Sequence, residues 1–243
     1  MRRRLVADVN VPSPVEAILR QVGRLAAARS LSAYAVGGCV RDWRLGITQA
    51  VDLDVTVEGD GIEIARQVAE TLGGTVTVHQ QFGTASVMFA QQTHRWKVDV
   101  ATCRSETYAT PAAYPRVAPG TLEEDLFRRD FTINAMAVVI GPGRFGSLID
   151  PFHGARDLSQ RRLRMLHERS FLDDPSRLLR GVRFAQRFRL RWDAATLRAA
   201  REAIAAGALG WLNRGRLGKE LERMLQEPNP LACFQQLASL LGS

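Results

Sequence analysis

The chain has 243 residues, 46% hydrophobic and 24% charged, which is enough apolar material for one large or two small domains with a real core and excludes a disordered chain. Thirty-three lysines and arginines against 25 acids leave a formal charge of +8, and only Lys97 and Lys219 among those cations are lysine. Such a balance points toward phosphate-rich partners, because the planar guanidinium grips phosphate with two prongs; an arginine-favouring genome would leave the same trace.

The N-terminal stretch MRRRLVADVNVPSPVE is basic but has no apolar segment long enough for a signal peptide. No run approaches membrane-spanning length. Cys39, Cys103 and Cys233 show no C-x-x-C spacing, so neither a disulfide framework nor a zinc site is expected. The expectation is a cytoplasmic protein with no membrane association. Ser13, Pro14 and Glu16 read as a capping box with proline in the first turn, and Val15, Ile18, Leu19, Val22 and Leu25 follow at helical spacing, predicting a helix to about Arg29. AYAV (Ala33–Val36) then reads as a strand that stops at Gly37 and Gly38.

The run VDLDVTV, 51–57, predicts a second strand, followed by a helix over 62–72 and three β-rich segments, GTVTVH, TASVMFA and HRWKVDVAT. SETYATPAAYPRVAPGT reads as a loop because of its prolines and glycine. Positions 122–129 look helical, FTINAMAVVI is apolar enough to be buried, and IDPFHG is a turn. From Arg161 helical periodicity dominates, and between positions 161 and 191 ten arginines stand against three acids, Glu168, Asp173 and Asp174. The boundary therefore falls near Asp150, with a mixed α/β unit over 1–150 and an all-helical unit over 151–243. There is no internal repeat.

Three stretches carry candidate chemistry. In VDLDVTV, Asp52 and Asp54 sit two apart, so a strand would send both carboxylates from one face, where they repel unless a cation lies between them. Hard oxygen ligands favour magnesium; the alternative is a solvated strand end. Asp99 of WKVDVAT could join them from a neighbouring strand, a set suited to two-metal catalysis. In VGGCVRD the two glycines would let backbone N–H groups approach a phosphate, with Arg41 in reach, or would simply make a tight turn; neither the G-x-G-x-x-G nor the Walker spacing is present.

In FLDDPSRLLRGVRFAQRF, Asp174 before Pro175 reads as an N-cap with proline at N1. Arg177, Arg180 and Arg183 follow in a slanting row that could track an extended anion or form a solvated basic face, while Leu178, Val182 and Ala185 make an apolar stripe. The four histidines, His79, His94, His153 and His167, form no ligand spacing.

Seven segments in order, VGGCVRD, VDLDVTV, FGTASV, KVDVATCRSETY, LEEDLFRRDFTINAMAV, LIDPFHGARDL and LRMLHERSFLDDPSRLLRGVRF, resemble the head of the CCA-adding enzyme and poly(A) polymerase family of tRNA nucleotidyltransferases, class II, bacterial type. The resemblance runs from about Tyr34 to Phe188. It implies an α+β fold related to DNA polymerase beta, with a small mixed sheet carrying the metal carboxylates and a helical neck behind it. It also implies Mg2+ on Asp52 and Asp54 with help from Asp99, and nucleotide contacts from Gly38, Arg41 and Arg129. Asp174 and Arg177 would read the incoming base, and Arg180 and Arg183 would line the nucleotide pocket, on its phosphate side.

Base reading has a physical reason. Cytosine and adenine both present an exocyclic amine beside a ring-nitrogen acceptor, which suits a carboxylate and a guanidinium; uracil and guanine reverse that pattern. Two departures stand out: Asp173-Asp174 replaces the family's usual Glu-Asp, and the sequence ends at Ser243, where relatives continue into body and tail domains. The implied activity is addition of CMP, AMP or both to the 3′ end of tRNA from CTP and ATP. The loop around SETYATPAAYPRVAPGTLEEDL resembles that of A-adding and CCA-adding members and favours a terminal A. A poly(A) polymerase and a non-catalytic RNA-binding module are the alternatives.

Overall fold

The computed structural model describes residues 5–6, 8–48, 52–91 and 94–242, so Val51 of the expected VDLDVTV strand and the first residues of the basic start lie outside the described residues. The chain divides into two compact units: Met1–Ser105, Val117–Arg129 and Asn134–Ala155 form the first, and Glu106–Arg116, Asp130–Ile133 and Arg156–Ser243 the second. Two short segments that precede the expected boundary near Asp150 thus belong to the later unit.

From the N-terminus the elements run β1 (Leu5–Val6), α1 (Ser13–Ala28), β2 (Ala33–Val36), α2 (Gly38–Arg44), β3 (Asp52–Val57), α3 (Gly61–Leu72), β4 (Thr75–His79), β5 (Thr84–Gln91) and β6 (His94–Thr102). The paired short strands β7 (Arg104–Thr107) and β8 (Arg116–Pro119) follow, then α4 (Leu122–Phe127), β9 (Ala137–Val139) and β10 (Leu148–Ile149). Among the described residues, eight strands make one sheet in the order β1-β10-β9-β2-β3-β6-β5-β4. Within it β3 and β6 run parallel and the other neighbours antiparallel.

Residue alternation explains how the sheet is used. Leu53, Val55 and Val57 of β3, Val87 and Phe89 of β5, and Trp96, Val98 and Val100 of β6 are buried. Their neighbours in sequence leave the other face, as strand geometry requires. Helix α3 packs on β5 and β6, and α1 packs on β2 and α3, through buried residues such as Leu19, Val22, Ile64 and Val68. FTINAMAVVI is buried almost throughout, and it forms a 3-10 turn at Thr132–Asn134 followed by β9.

Two local expectations are corrected in this region. No capping box forms at α1: Pro12 is the cap residue, Ser13 is already helical, and Glu16 pairs with Arg20 at 2.7 Å. Side-chain caps form instead at α3, where Asp60 accepts from Glu63 N at 3.0 Å, and at α4, where Thr121 and Glu124 make a full capping box. SETYATPAAYPRVAPGT is not all loop, because β7 and β8 pair within it. Pro115 precedes β8 and Pro119 ends it, so neither proline removes a bond from the middle of a strand.

The second unit contains most of α5 (Gly154–Ser159), then β11 (Arg162–Leu163), α6 (Ser170–Asp173), α7 (Ser176–Arg187), β12 (Arg191–Trp192), α8 (Ala194–Ala205), α9 (Arg214–Leu225) and α10 (Pro230–Leu241). Among its described residues from 156 onward it is helical except for the two-residue parallel pair of β11 with β12, a small departure from the all-helical expectation. Leu179 and Val182 of α7 pack with Met224, Cys233 and Leu240. On another side, Phe131 stacks edge-on with Phe184 and Trp192 at centroid distances of 6.1 and 6.4 Å. Gly181 permits this approach, since a Cβ there would fall 2.5 Å from the Trp192 ring.

Asp174, expected as the N-cap of α7, does not take that place; Pro175 does, although Asp174 still accepts from Ser176 N at 3.0 Å. Among the described residues no helix is long and apolar enough to cross a membrane.

Candidate active site

Alternation on β3 sends Asp52 and Asp54 out of the face opposite Leu53 and Val55, and both are exposed. In the parallel register of β3 with β6, Asp54 stands opposite Asp99 and Asp52 opposite Lys97, while β5 sets Ser86 opposite Asp99. One face of the sheet therefore gathers three carboxylates, one ammonium and one hydroxyl. Asp99 accepts from Lys97 Nζ at 2.6 Å and from Ser86 Oγ.

Although its tip is accessible, Asp54 sits in a crowded part of the fold. Its carboxyl is held above the ordinary range first by that desolvation and then by Asp99 and Asp52, with Arg129 and Lys97 pulling the other way. Among the described residues no three or more His, Cys, Asp or Glu enclose an ion. The accessible pair Asp52 and Asp54 nevertheless fits Mg2+, which takes one or two carboxylates and completes its shell with water and phosphate oxygens.

Beside the acid face lies the glycine turn. Gly37 has φ +75, and a Cβ built there would fall 2.7 Å from Arg129 Nη1 and 3.7 Å from Asp54 Oδ2. The left-handed backbone angle is what favours glycine here, since the Arg129 tip could shift aside from a Cβ. Gly38 begins α2, and a Cβ on it would lie 3.5 Å from Arg41 Nη2. The Arg41 guanidinium is buried, donating to Asn134 Oδ1 at 2.6 Å and pairing with Asp42 at 2.8 Å.

Arg129 pairs at 2.9 Å with Asp125, which also holds Arg128 at 2.7 Å. Burial works to raise the Asp125 carboxyl, but Arg129 and Arg128 outweigh it and hold it below the usual carboxylate range. The Cys39 thiol is pushed up to about 12 by burial and then by Asp54, so it stays protonated and is no nucleophile.

The other expected residues belong to the second unit. Asp174 Oδ1 accepts from Ser176 N at 3.0 Å, from Ser176 Oγ at 2.6 Å and from Arg216, so all three bonds fall on one carboxylate oxygen. Arg177 is buried, donates to Ser170 Oγ at 2.8 Å and lies 3.4 Å from His167 Nε2. His167 is held below its ordinary value by burial and then by Arg177. Tyr108 feels both Arg177 and Asp174, and its hydroxyl donates to Glu106 at 2.9 Å; burial and then Glu106 push it above the usual phenol range.

Further along α7, Arg180 pairs with Asp130 at 2.5 Å, an attraction that raises its pKa. Arg183 reaches Glu227 at 3.3 Å with its guanidinium 4.7 Å from the Phe184 ring centroid, and burial lowers its pKa.

The structure thus brings Gly38, Arg41, Asp52, Asp54, Asp99 and Arg129 into the first unit and Asp174, Arg177, Arg180 and Arg183 into the second. Sequence reasoning missed Lys97, Ser86, Asn134, Asp125, Tyr108 and Arg216. Lys97 was findable, being two residues from Asp99 on a strand and one of two lysines in an arginine-rich chain. Asp125 was findable from its three- and four-residue steps to Arg128 and Arg129. Arg216 carried no signal, because 42 positions separate it from Asp174.

Residues 33–164 match the family model of the poly A polymerase head domain. The chain is 40% identical over 225 residues to the A-adding tRNA nucleotidyltransferase of Halalkalibacterium halodurans, covering 92% of this chain and 52% of that protein. To the CC-adding tRNA nucleotidyltransferase of Deinococcus radiodurans it is 36% identical over 195 residues, covering 80% and 50%. The solved structure of a CCA-adding enzyme in apo form II matches with a TM-score of 0.87 at 39% identity, over 95% of this chain and 53% of that one. The chain spans about half the length of these relatives.

Proposed function

Because the chain belongs to the poly A polymerase head-domain family, we propose that it is a Mg2+-dependent nucleotidyltransferase that adds CMP, AMP or both to the 3′ end of tRNA from CTP and ATP, releasing pyrophosphate. The relatives' names, A-adding and CC-adding tRNA nucleotidyltransferase, support the substrate. The observation that carries the reading is the pair Asp52 and Asp54, accessible on one sheet face beside Gly37 and Arg129. In this reading 1–150 is a catalytic head and 151–243 a helical neck.

Asp52 and Asp54 would hold the divalent cation, which when bound polarises the α-phosphate and offsets the charge of the triphosphate. Asp99, tied to Lys97 and Ser86, would assist from beside the pair. Gly38, Arg41 and Arg129 would meet the nucleotide, Arg129 with its guanidinium held in place by Asp125. The RNA 3′-hydroxyl oxygen bonds to the α-phosphorus, the bond from that phosphorus to the bridging oxygen breaks, pyrophosphate leaves, and the hydroxyl proton passes to water. No side-chain nucleophile is required, since positioning and charge placement supply most of the rate.

For base choice, Asp174 Oδ1 is committed to Ser176 and Arg216, and Oδ2 takes none of those bonds, which suits it to accept from the exocyclic amine of cytosine or adenine. Arg177 would donate to the ring nitrogen, and Arg180 and Arg183 would flank the phosphate side. Refusal of UTP and GTP then costs those bases about 1 to 3 kcal/mol per unmatched group.

The test is incorporation of each α-labelled nucleoside triphosphate with Mg2+ onto tRNA transcripts ending before CCA, after C-C, and complete, resolved to single nucleotides. Addition of C or A that stops at the complete end supports the reading, with a terminal A favoured by the A-adding relative. An open-ended A tail would make it a poly(A) polymerase, the activity in the family model's name. No addition to any transcript would leave a non-catalytic RNA-binding module.

A further inference from the structure

Lys97 stands among the carboxylates of the acid face, where Arg129 is the other cation whose field reaches Asp54. It is register partner of Asp52 on β3 and lies two residues before Asp99 on β6, so its side chain leaves the same face as all three carboxylates. Its ammonium donates to Asp99 Oδ2 at 2.6 Å, while Ser86 Oγ takes Oδ1, so both oxygens of Asp99 are engaged. Among the described residues Lys97 and Lys219 are the only lysines, in a chain where arginine meets nearly every other need for a cation. A compact ammonium on a flexible stem is the cation that can occupy a place among carboxylates and then leave it; the rigid guanidinium fork is less suited to that. A lysine ammonium is charged at neutral pH, so the bond to Asp99 places a full positive charge on this face.

We propose that Lys97 is the resident counter-ion of the acid face, competing with the divalent cation for Asp99 and thereby weakening the affinity of the nucleotide-free protein for metal. This rests on the reading of Asp52 and Asp54 as the metal-binding pair. Two consequences follow from electrostatics alone. A positive charge beside the pair repels an arriving dication, and it withholds the third carboxylate from it. Binding of metal therefore depends on the triphosphate, whose oxygens supply the ligands that the protein withholds.

The experiment measures Mn2+ binding to the full chain without nucleotide, by the electron paramagnetic resonance signal of free Mn2+. Lys97→Met, which keeps the apolar stem and removes the charge, is expected to tighten binding by about 3- to 10-fold. Lys97→Arg, which keeps the charge, should show none of this tightening, and adding Asp99→Asn to Lys97→Met should erase the gain. Unchanged or weaker binding by Lys97→Met, with a melting temperature showing that it is folded, overturns the counter-ion role alone. Mn2+ binding that Asp54→Asn leaves intact overturns the metal-pair reading, and the counter-ion role with it.

Discussion

On the open face of β3, Asp52 and Asp54 project side by side into solvent with Asp99 next in register, whereas α7 ties its arginines to acceptors within their own unit: Arg177 to Ser170, Arg180 to Asp130, Arg183 to Glu227. Each region concentrates one sign of charge, yet only the first keeps like charges together and accessible. Folding gains nothing from such a grouping, since the carboxylates repel one another. Paired charge of the α7 kind holds a structure together. Density of charge is therefore a poor guide to a site; charge left together by a fold that could have separated it is a better one.

The largest effect expected from this contrast is on turnover. Asp54→Asn should lower incorporation by about 10³-fold or more, equivalent to roughly 4 kcal/mol, while thermal unfolding changes little or shifts upward as repulsion is relieved. Near-parental turnover would place the chemistry elsewhere.

Next comes the paired charge. Asp125→Ala removes the fully buried acid that holds both Arg128 and Arg129, and should cost about 3 kcal/mol in urea unfolding. Because the folded-state pKa of Asp125 lies below its unfolded value, its contribution is fully present above the ordinary carboxylate range and fades as pH falls through the folded value. The stability gap between the parent and Asp125→Asn should thus be constant near neutrality and close only below about pH 4. Asp130→Ala should cost less, about 2 kcal/mol, because the Arg180 side chain is 33% exposed and water can replace part of what is lost.

The smallest effects test local capping. Asp60→Ala should cost about 1 kcal/mol and Ser13→Ala under about 0.5 kcal/mol, since only Asp60 makes a side-chain cap bond. Equal losses at the two positions would restore the sequence motif that the structure denies.

Those last two residues show where the sequence was legible. The period-two pattern of VDLDVTV announced both a strand and a face, and α1, α3 and the β-rich run all followed from local periodicity. The capping box at Ser13 was misleading because the motif cannot say which residue is the first helical one; Pro12 takes that boundary. The strand pair β7 with β8 was hidden by prolines that sit at the ends of β8, where they cost no ladder bond. Within the site, the spacing of Asp52 and Asp54 was visible, but the neighbour relation of Asp99 to Asp54 depends on the parallel register of two strands far apart in sequence. The hold of Arg216 on Asp174 is a tertiary fact of the same kind.

Under the proposed function, Asp52 and Asp54 act as one unit on one face of β3. The measurement that tests it most directly is a double-mutant cycle: kcat/KM for nucleotide incorporation by Asp52→Asn, Asp54→Asn and the double variant, each verified as folded by its melting curve. The double variant is expected to be no slower than the slower single one, because either substitution already disables the unit. Losses that multiply, or a single variant that keeps near-parental turnover, would contradict it.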